Sequence, residues 1–138
     1  MITLNNLPRI KEIIIETITL AEKLNVEYLN PPERDEIVVK NLPSLERYYN
    51  DPARIALNDF MDSCSKEELI GLMAVMYLGR EGGEFSESGP IDEIEANQLF
   101  DRYYQESSNY EKNNAIRQMI SKTPLSIYLQ KGVSLLNL

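Results

Sequence analysis

Apolar positions in this chain recur at three- and four-residue intervals almost throughout, the period of amphipathic helices. Asn6 precedes Pro8, and proline suits a first helical turn. Behind them Ile10, Ile13, Ile14, Ile18, Ala21 and Leu24 make one stripe, with Lys11, Glu12, Glu16, Glu22 and Lys23 mostly elsewhere. Asn25 to Asn41 reads as a connector, because Pro31 and Pro32 break a helix and "EIVVK" is at most a short extended piece. "PSLERYY" follows as a short helical stretch. Asp51 then caps a helix opened by Pro52 and carrying Ile55, Ala56, Leu57, Phe60 and Met61.

Ser65 and Glu68 have the spacing of a capping box. The run behind them, "LIGLMAVMYLG", is apolar nearly all round and predicts a buried central helix over residues 66–79. Gly79 is placed to end that helix in the left-handed conformation that glycine adopts cheaply. Pro90 can start the next helix, with Ile91, Ile94, Leu99 and Tyr103 on one side. Asp92, Glu93 and Glu95 fall in its first turns, where negative charge suits the helix dipole. A second capping box, Ser108 to Glu111, leads into "NAIRQMI", and Thr123 and Pro124 open a last helix that Gly132 closes. No repeat, low-complexity tract or second domain is apparent. The expected fold is all-α: a single helical domain over residues 1–138, an irregular bundle of about six helices around the central one.

Composition narrows the chemistry. With 138 residues, 43% of them apolar, the chain can bury a core without staples. No apolar run approaches the ~20 residues that span a bilayer. Glu12 and Glu16 interrupt the opening segment, and no small-residue cleavage site follows, so it reads as an amphipathic helix rather than a signal peptide. Cys64 is the sole cysteine, which excludes an intrachain disulfide and a thiol–metal cluster and points to a cytoplasmic setting. Its place at a helix junction could lower a thiol pKa, but with no histidine to act as base it reads first as a structural cysteine. The absence of histidine removes Ser-His-Asp and Cys-His catalysis, His-based zinc sites and the usual proton shuttle near neutral pH. No catalytic residue and no cofactor are therefore expected.

Charge is concentrated. Residues 81–111 hold nine acids, Glu81, Glu84, Glu87, Asp92, Glu93, Glu95, Asp101, Glu106 and Glu111, against Arg102 alone. This window accounts for the whole net charge of −8. Such a field repels nucleic acid and anionic membranes and attracts basic partners; it also reads simply as a solvated face. The glycine-rich stretch "LGREGGEFSESGPIDEIE" within it is no phosphate loop: it follows a helix, lacks lysine and carries Glu81, Glu84 and Glu87. Its acids also miss the ligand register of a calcium loop. Glu33-x-x-Glu36 and Glu84-x-x-Glu87 resemble half of a pyrophosphatase-type magnesium site, but no Asp stands three residues after a Glu to supply the other half.

Tyrosine is the remaining resource, with eight residues and no tryptophan. In the pairs Tyr48-Tyr49 and Tyr103-Tyr104 the neighbours project ~100° apart on a helix, so one of each faces the core and the other faces out. Tyrosine beside acids is a composition that protein interfaces favour.

The segment "EELIGLMAVMYLGR", residues 67–80, resembles the Glu-Leu-x-x-Leu-Met-x-x-x-x-Gly-Arg segment of a bacterial family of uncharacterised proteins, a domain of unknown function. "TPLSIYLQKGVSLL" is similar to that family's C-terminal Pro-Leu-x-x-Tyr-Leu-x-x-Gly segment, and "LPRIKEIIIETITLAEKL" falls where the family has an apolar helix. The tryptophan often found in the central segment is missing here, with Tyr77 near its place. The resemblance implies a small helical cytoplasmic domain and transfers no active site. Arg80 is the one polar residue at the end of the shared segment, either a helix anchor or a functional contact.

Two function classes follow. The first is a non-enzymatic binding protein, in its sharpest form an acidic inhibitor of the immunity or antitoxin type that neutralises a basic, nuclease-like toxin. Glu84, Glu87, Asp92, Glu93, Glu95 and Asp101 would supply charge, and Tyr103 or Tyr104 contact. Direct nucleic-acid or membrane binding is not expected. The second is a small carboxylate-based metal-dependent enzyme with Glu84, Glu87, Asp92 and Glu95 as ligands. Between them stands a helical housekeeping protein without a charged interface.

Overall fold

Ten residues of one helix, Leu69 to Met76 with Leu78 and Gly79, are buried together, so the rest of the fold must wrap that helix on several sides. A computed structural model describes residues 7–23, 52–81, 92–121 and 125–138. Six helices lie within them: α1 (Ile10–Glu22), α2 (Pro52–Ser63), α3 (Lys66–Glu81), α4 (Glu93–Ser107), α5 (Lys112–Ile120) and α6 (Leu125–Leu136). Among the described residues there is no strand, and the fold is all-α. The connector at 25–41, "PSLERYY", the Asp51 cap, and the Pro90 and Thr123-Pro124 helix starts lie outside the described residues.

The central helix α3 is the expected one. It packs on α6, α4, α5 and α1, while α1 also lies against α6 and α2, and α2 meets α5. Leu69, Leu72, Met73, Met76 and Leu78 are fully buried, and each contributes about 1.5–3 kcal/mol relative to exposure. Its start is the capping box read from sequence: Glu68 N donates to Ser65 Oγ (3.1 Å), and Ser65 N donates to Glu68 Oε1 (2.9 Å). The described part of the α1 stripe also holds, with Ile10, Ile13, Ile14 and Ala21 buried and Ile18 half-buried, while Leu24 lies outside the described residues. Thr17 joins them by donating its hydroxyl to Ile13 O at 2.7 Å, so its buried oxygen is partnered.

Gly79 and Gly132 have a different role from the one the sequence suggests. Neither ends a helix: α3 runs on to Glu81 and α6 to Leu136. The two glycines instead allow the α3 and α6 backbones to touch. A Cβ on Gly79 would lie 1.7 Å from the Tyr128 carbonyl oxygen and 2.9 Å from Gly132 N. One on Gly132 would lie 2.4 Å from Val75 O. The end of α6 is instead a Schellman turn. Leu138 N donates to Val133 O and Asn137 N to Ser134 O, with Asn137 in the left-handed region at φ 56°.

Three further local expectations are corrected. Ile94 is 70% exposed, and the buried stripe of α4 is Ala96, Phe100, Tyr104 and Ser107. Ile55 and Ala56 face solvent, leaving Leu57 and Met61 as the buried residues of α2. The Ser108–Glu111 capping box does not form. Ser108 Oγ donates back to Gln105 O (2.7 Å), and Glu111 itself stands at the N-cap of α5 without a side-chain cap bond. Lys112 ties α5 to α2 by donating to Asp62 O at the end of that helix (2.6 Å).

Candidate functional site

The close crossing of α3 and α6 fixes the last turn of α3, from which Tyr77, Arg80 and Glu81 project. Spacings of three and four residues put them on neighbouring strips of one helix face. The Arg80 guanidinium carbon stands 4.8 Å from the centroid of the Tyr77 ring, a cation–π geometry. Its Nη2 donates to Glu81 Oε1 at 2.6 Å. The other oxygen, Glu81 Oε2, accepts from the Tyr103 hydroxyl of α4 at 2.8 Å. The Tyr103 ring is tilted 50° to Tyr77, with centroids 6.1 Å apart. Tyr110 enters from the α4–α5 turn, whose closing bond runs from Tyr110 N to Ser107 O (3.1 Å). These residues, with Glu106 and Ser107, line an open cleft of about 350 Å³.

Protonation follows from these contacts. The Arg80 and Tyr103 hydrogen bonds hold the Glu81 carboxyl below its ordinary value. Donating to the Glu81 carboxylate in turn raises Arg80. Burial, then the hydrogen bond to Glu81, pushes the Tyr103 phenol up to about 12. Burial, and next the nearby Tyr110, raises Tyr77. Tyr77 and Tyr103 are thus un-ionised near neutral pH, beside the Arg80 guanidinium and the Glu81 carboxylate.

The residues singled out from sequence divide. Asp92 is the N-cap of α4 and accepts from Glu95 N at 2.7 Å, a structural task met by an exposed carboxylate. Glu95 is exposed, and Glu93 is the first residue of the helix. Asp101 is half-buried on another flank, and burial raises its carboxyl pKa. Tyr103 is half-buried in the cleft. Tyr104 is only 4% exposed against Phe100 and the core, so it is the core-facing member of the pair. Glu84 and Glu87 lie outside the described residues. At ~100° per residue, Asp92, Glu95, Glu106 and Tyr103 fall within about one quarter of the circumference of α4.

Among the described residues no group of three His, Cys, Asp or Glu side chains could hold a metal. None of the described helices is long and apolar enough to cross a membrane. Cys64 is buried at 1% exposure and its thiol is raised by burial and by the Glu68 charge, an inert structural position. Models of known protein families, curated proteins and solved structures yield no match to this chain.

In the sequence Glu81 and Glu106 stand out only as charge, Tyr77 only as the stand-in for a tryptophan, and Tyr110 not at all. The spacing Tyr77-x-x-Arg80-Glu81 was an available local signal for a cation–π and ion-pair cluster. The closing contact from Tyr103, 22 positions away, had none.

Proposed function

We propose that this protein acts by binding rather than catalysis, as an acidic inhibitor of the immunity or antitoxin type that engages a basic, nuclease-like protein. The observation that carries this reading is one flank of α4. There the exposed Asp92, Glu95 and Glu106 stand beside half-buried Tyr103, inside the window that holds the whole net charge. A predominantly acidic face on a rigid helix, on which Arg102 pairs with Glu106, steers a cationic partner and accelerates encounter. A tyrosine at the edge of that field supplies the desolvated contact area on which interface energy concentrates. Glu84 and Glu87 add to the same field by their place in the sequence.

The test compares the tagged protein with its Glu84→Lys/Glu87→Lys/Glu95→Lys variant, none of whose changes removes a described helix cap. Each is exposed to native cell lysate, eluted with a salt gradient, and the bound proteins are identified by mass spectrometry. A basic protein held to moderate or high salt by the unmodified chain and lost by the variant is the expected outcome. Equal retention by both, or an empty eluate from both, removes the acidic face from the mechanism.

A further inference from the structure

We propose that the cleft between the ends of α3 and α4 is a socket for a cationic side chain, an arginine or lysine of the bound partner. This rests on the reading that the partner is basic. Its walls have the chemistry that a desolvating guanidinium or ammonium needs. Tyr77, Tyr103 and Tyr110 surround it with aromatic rings, and Glu81 and Glu106 contribute carboxylates.

The protein already shows a guanidinium fitting this wall. Arg80 lies over the Tyr77 face, and its charge is neutralised by Glu81 at 2.6 Å. Both Glu81 oxygens are thereby engaged, one by Arg80 and one by Tyr103. Glu106 is the carboxylate open to a newcomer. Among the described residues its ion pair is with Arg102 at 3.1 Å, and those side chains are 57% and 70% exposed. Exposed pairs of this kind contribute little and exchange readily. An incoming cation displaces Arg102 from Glu106, while the rings of Tyr103 and Tyr110 cover its flanks.

Size and openness agree. A cleft of about 350 Å³ is at the lower end of the ~300–1,000 Å³ typical of small-ligand sites. It opens to solvent, as a site must that receives a side chain from another protein. With Arg80 already paired to Glu81, the second carboxylate, Glu106, and the strongly acidic chain disfavour phosphate or carboxylate ligands.

Agmatine, a guanidinium on a four-carbon stem, is the probe. The isotopically labelled full chain is titrated with it at low salt, and separately with sodium acetate, while backbone amide signals are followed by NMR. The expected result is saturable movement of the Tyr103, Ser107 and Tyr110 signals with agmatine, weakened about 3-fold or more in Glu106→Gln. Glu106 is exposed, so this variant keeps the fold, which circular dichroism verifies. Three outcomes overturn the socket: no saturable shift at the cleft, an unchanged affinity in Glu106→Gln, or acetate moving these signals in place of agmatine. The titration needs no partner, so its failure is separate from that of the acidic-face reading. A charge-reversed variant that loses its partner, alongside a cleft that ignores agmatine, leaves the first proposal standing and removes this one.

Discussion

Glu81 and Tyr103 are the residues on which the cleft turns. One carboxylate joins α3 to α4 by accepting from Arg80 and Tyr103 together, and the consequences for titration have opposite signs. Glu81 is lowered in the folded state. Its stabilising contribution is therefore present above the ordinary carboxylate range and is lost as pH falls through its folded value. Tyr103 is raised to about 12. Its contribution is full below the ordinary tyrosine value of about 10 and disappears as pH climbs through the folded value. Substituting Glu81→Gln removes the charge and weakens the hydrogen bond, so Tyr103 should titrate at lower pH. It should still titrate above an ordinary tyrosine, because burial is the largest cause of its shift. Tyrosinate absorbance during alkaline titration measures this, with Tyr103→Phe identifying the transition. An unmoved transition in Glu81→Gln would show that the carboxylate does not govern the phenol. Tyr103 and Tyr104 project ~100° apart, and the fold buries Tyr104 while leaving Tyr103 half-buried, as their adjacency on a one-sided helix suggests. Nothing local could join Tyr103 to Glu81, because that contact exists only once two helices have docked.

At the level of elements, period and caps were the readable part. The stripe of α1, the nearly all-apolar α3 and the Ser65–Glu68 box are each determined within a turn or two of chain, and each took the expected form. Ser108–Glu111 shows the limit of such rules: the same spacing yields to a hydroxyl that closes α4 rather than opening α5. Gly79 and Gly132 show another limit, since the reason for a glycine at a crossing lies on the opposite helix. Alanine at either site meets backbone atoms that cannot rotate away. Gly79→Ala and Gly132→Ala should each lower unfolding free energy by about 1–3 kcal/mol or more, the range for overpacked cores. Gly71→Ala is the contrast. Its added methyl would meet Leu7 Cδ1 at 2.6 Å, the far end of a flexible side chain, so a smaller loss is expected. Urea denaturation of the three variants ranks them. A Gly79→Ala protein as stable as the unmodified chain would mean that the backbones do not meet there.

For the whole molecule, the decisive property is asymmetry of charge around a neutral remainder. In the proposed binding role such asymmetry would set the encounter rate more than the lifetime of a complex. With a basic partner in hand, raising salt from low to physiological levels should slow association by about tenfold or more, leaving dissociation within a few-fold. Stopped-flow or surface-based kinetics resolves the two rates, and a salt effect confined to dissociation would speak against steering. Total charge and its segment were plain in the sequence. The grouping of Asp92, Glu95, Glu106 and Tyr103 on one quarter of α4 was implicit in helical geometry, but it required the true core stripe, Ala96, Phe100 and Tyr104, to be known first.

The contact of α3 with α6 also has an evolutionary consequence. Because each glycine is opposed by main-chain atoms, no compensating side-chain change elsewhere can make room for a replacement. The two positions therefore form a single inherited unit, expected to be retained or lost together among descendants of this chain. Glu106 and Tyr110, a turn away, are under no such constraint. Under the proposed binding function, a lineage that changes its target should rewrite Glu106 and Tyr110 while leaving Gly79 and Gly132 untouched.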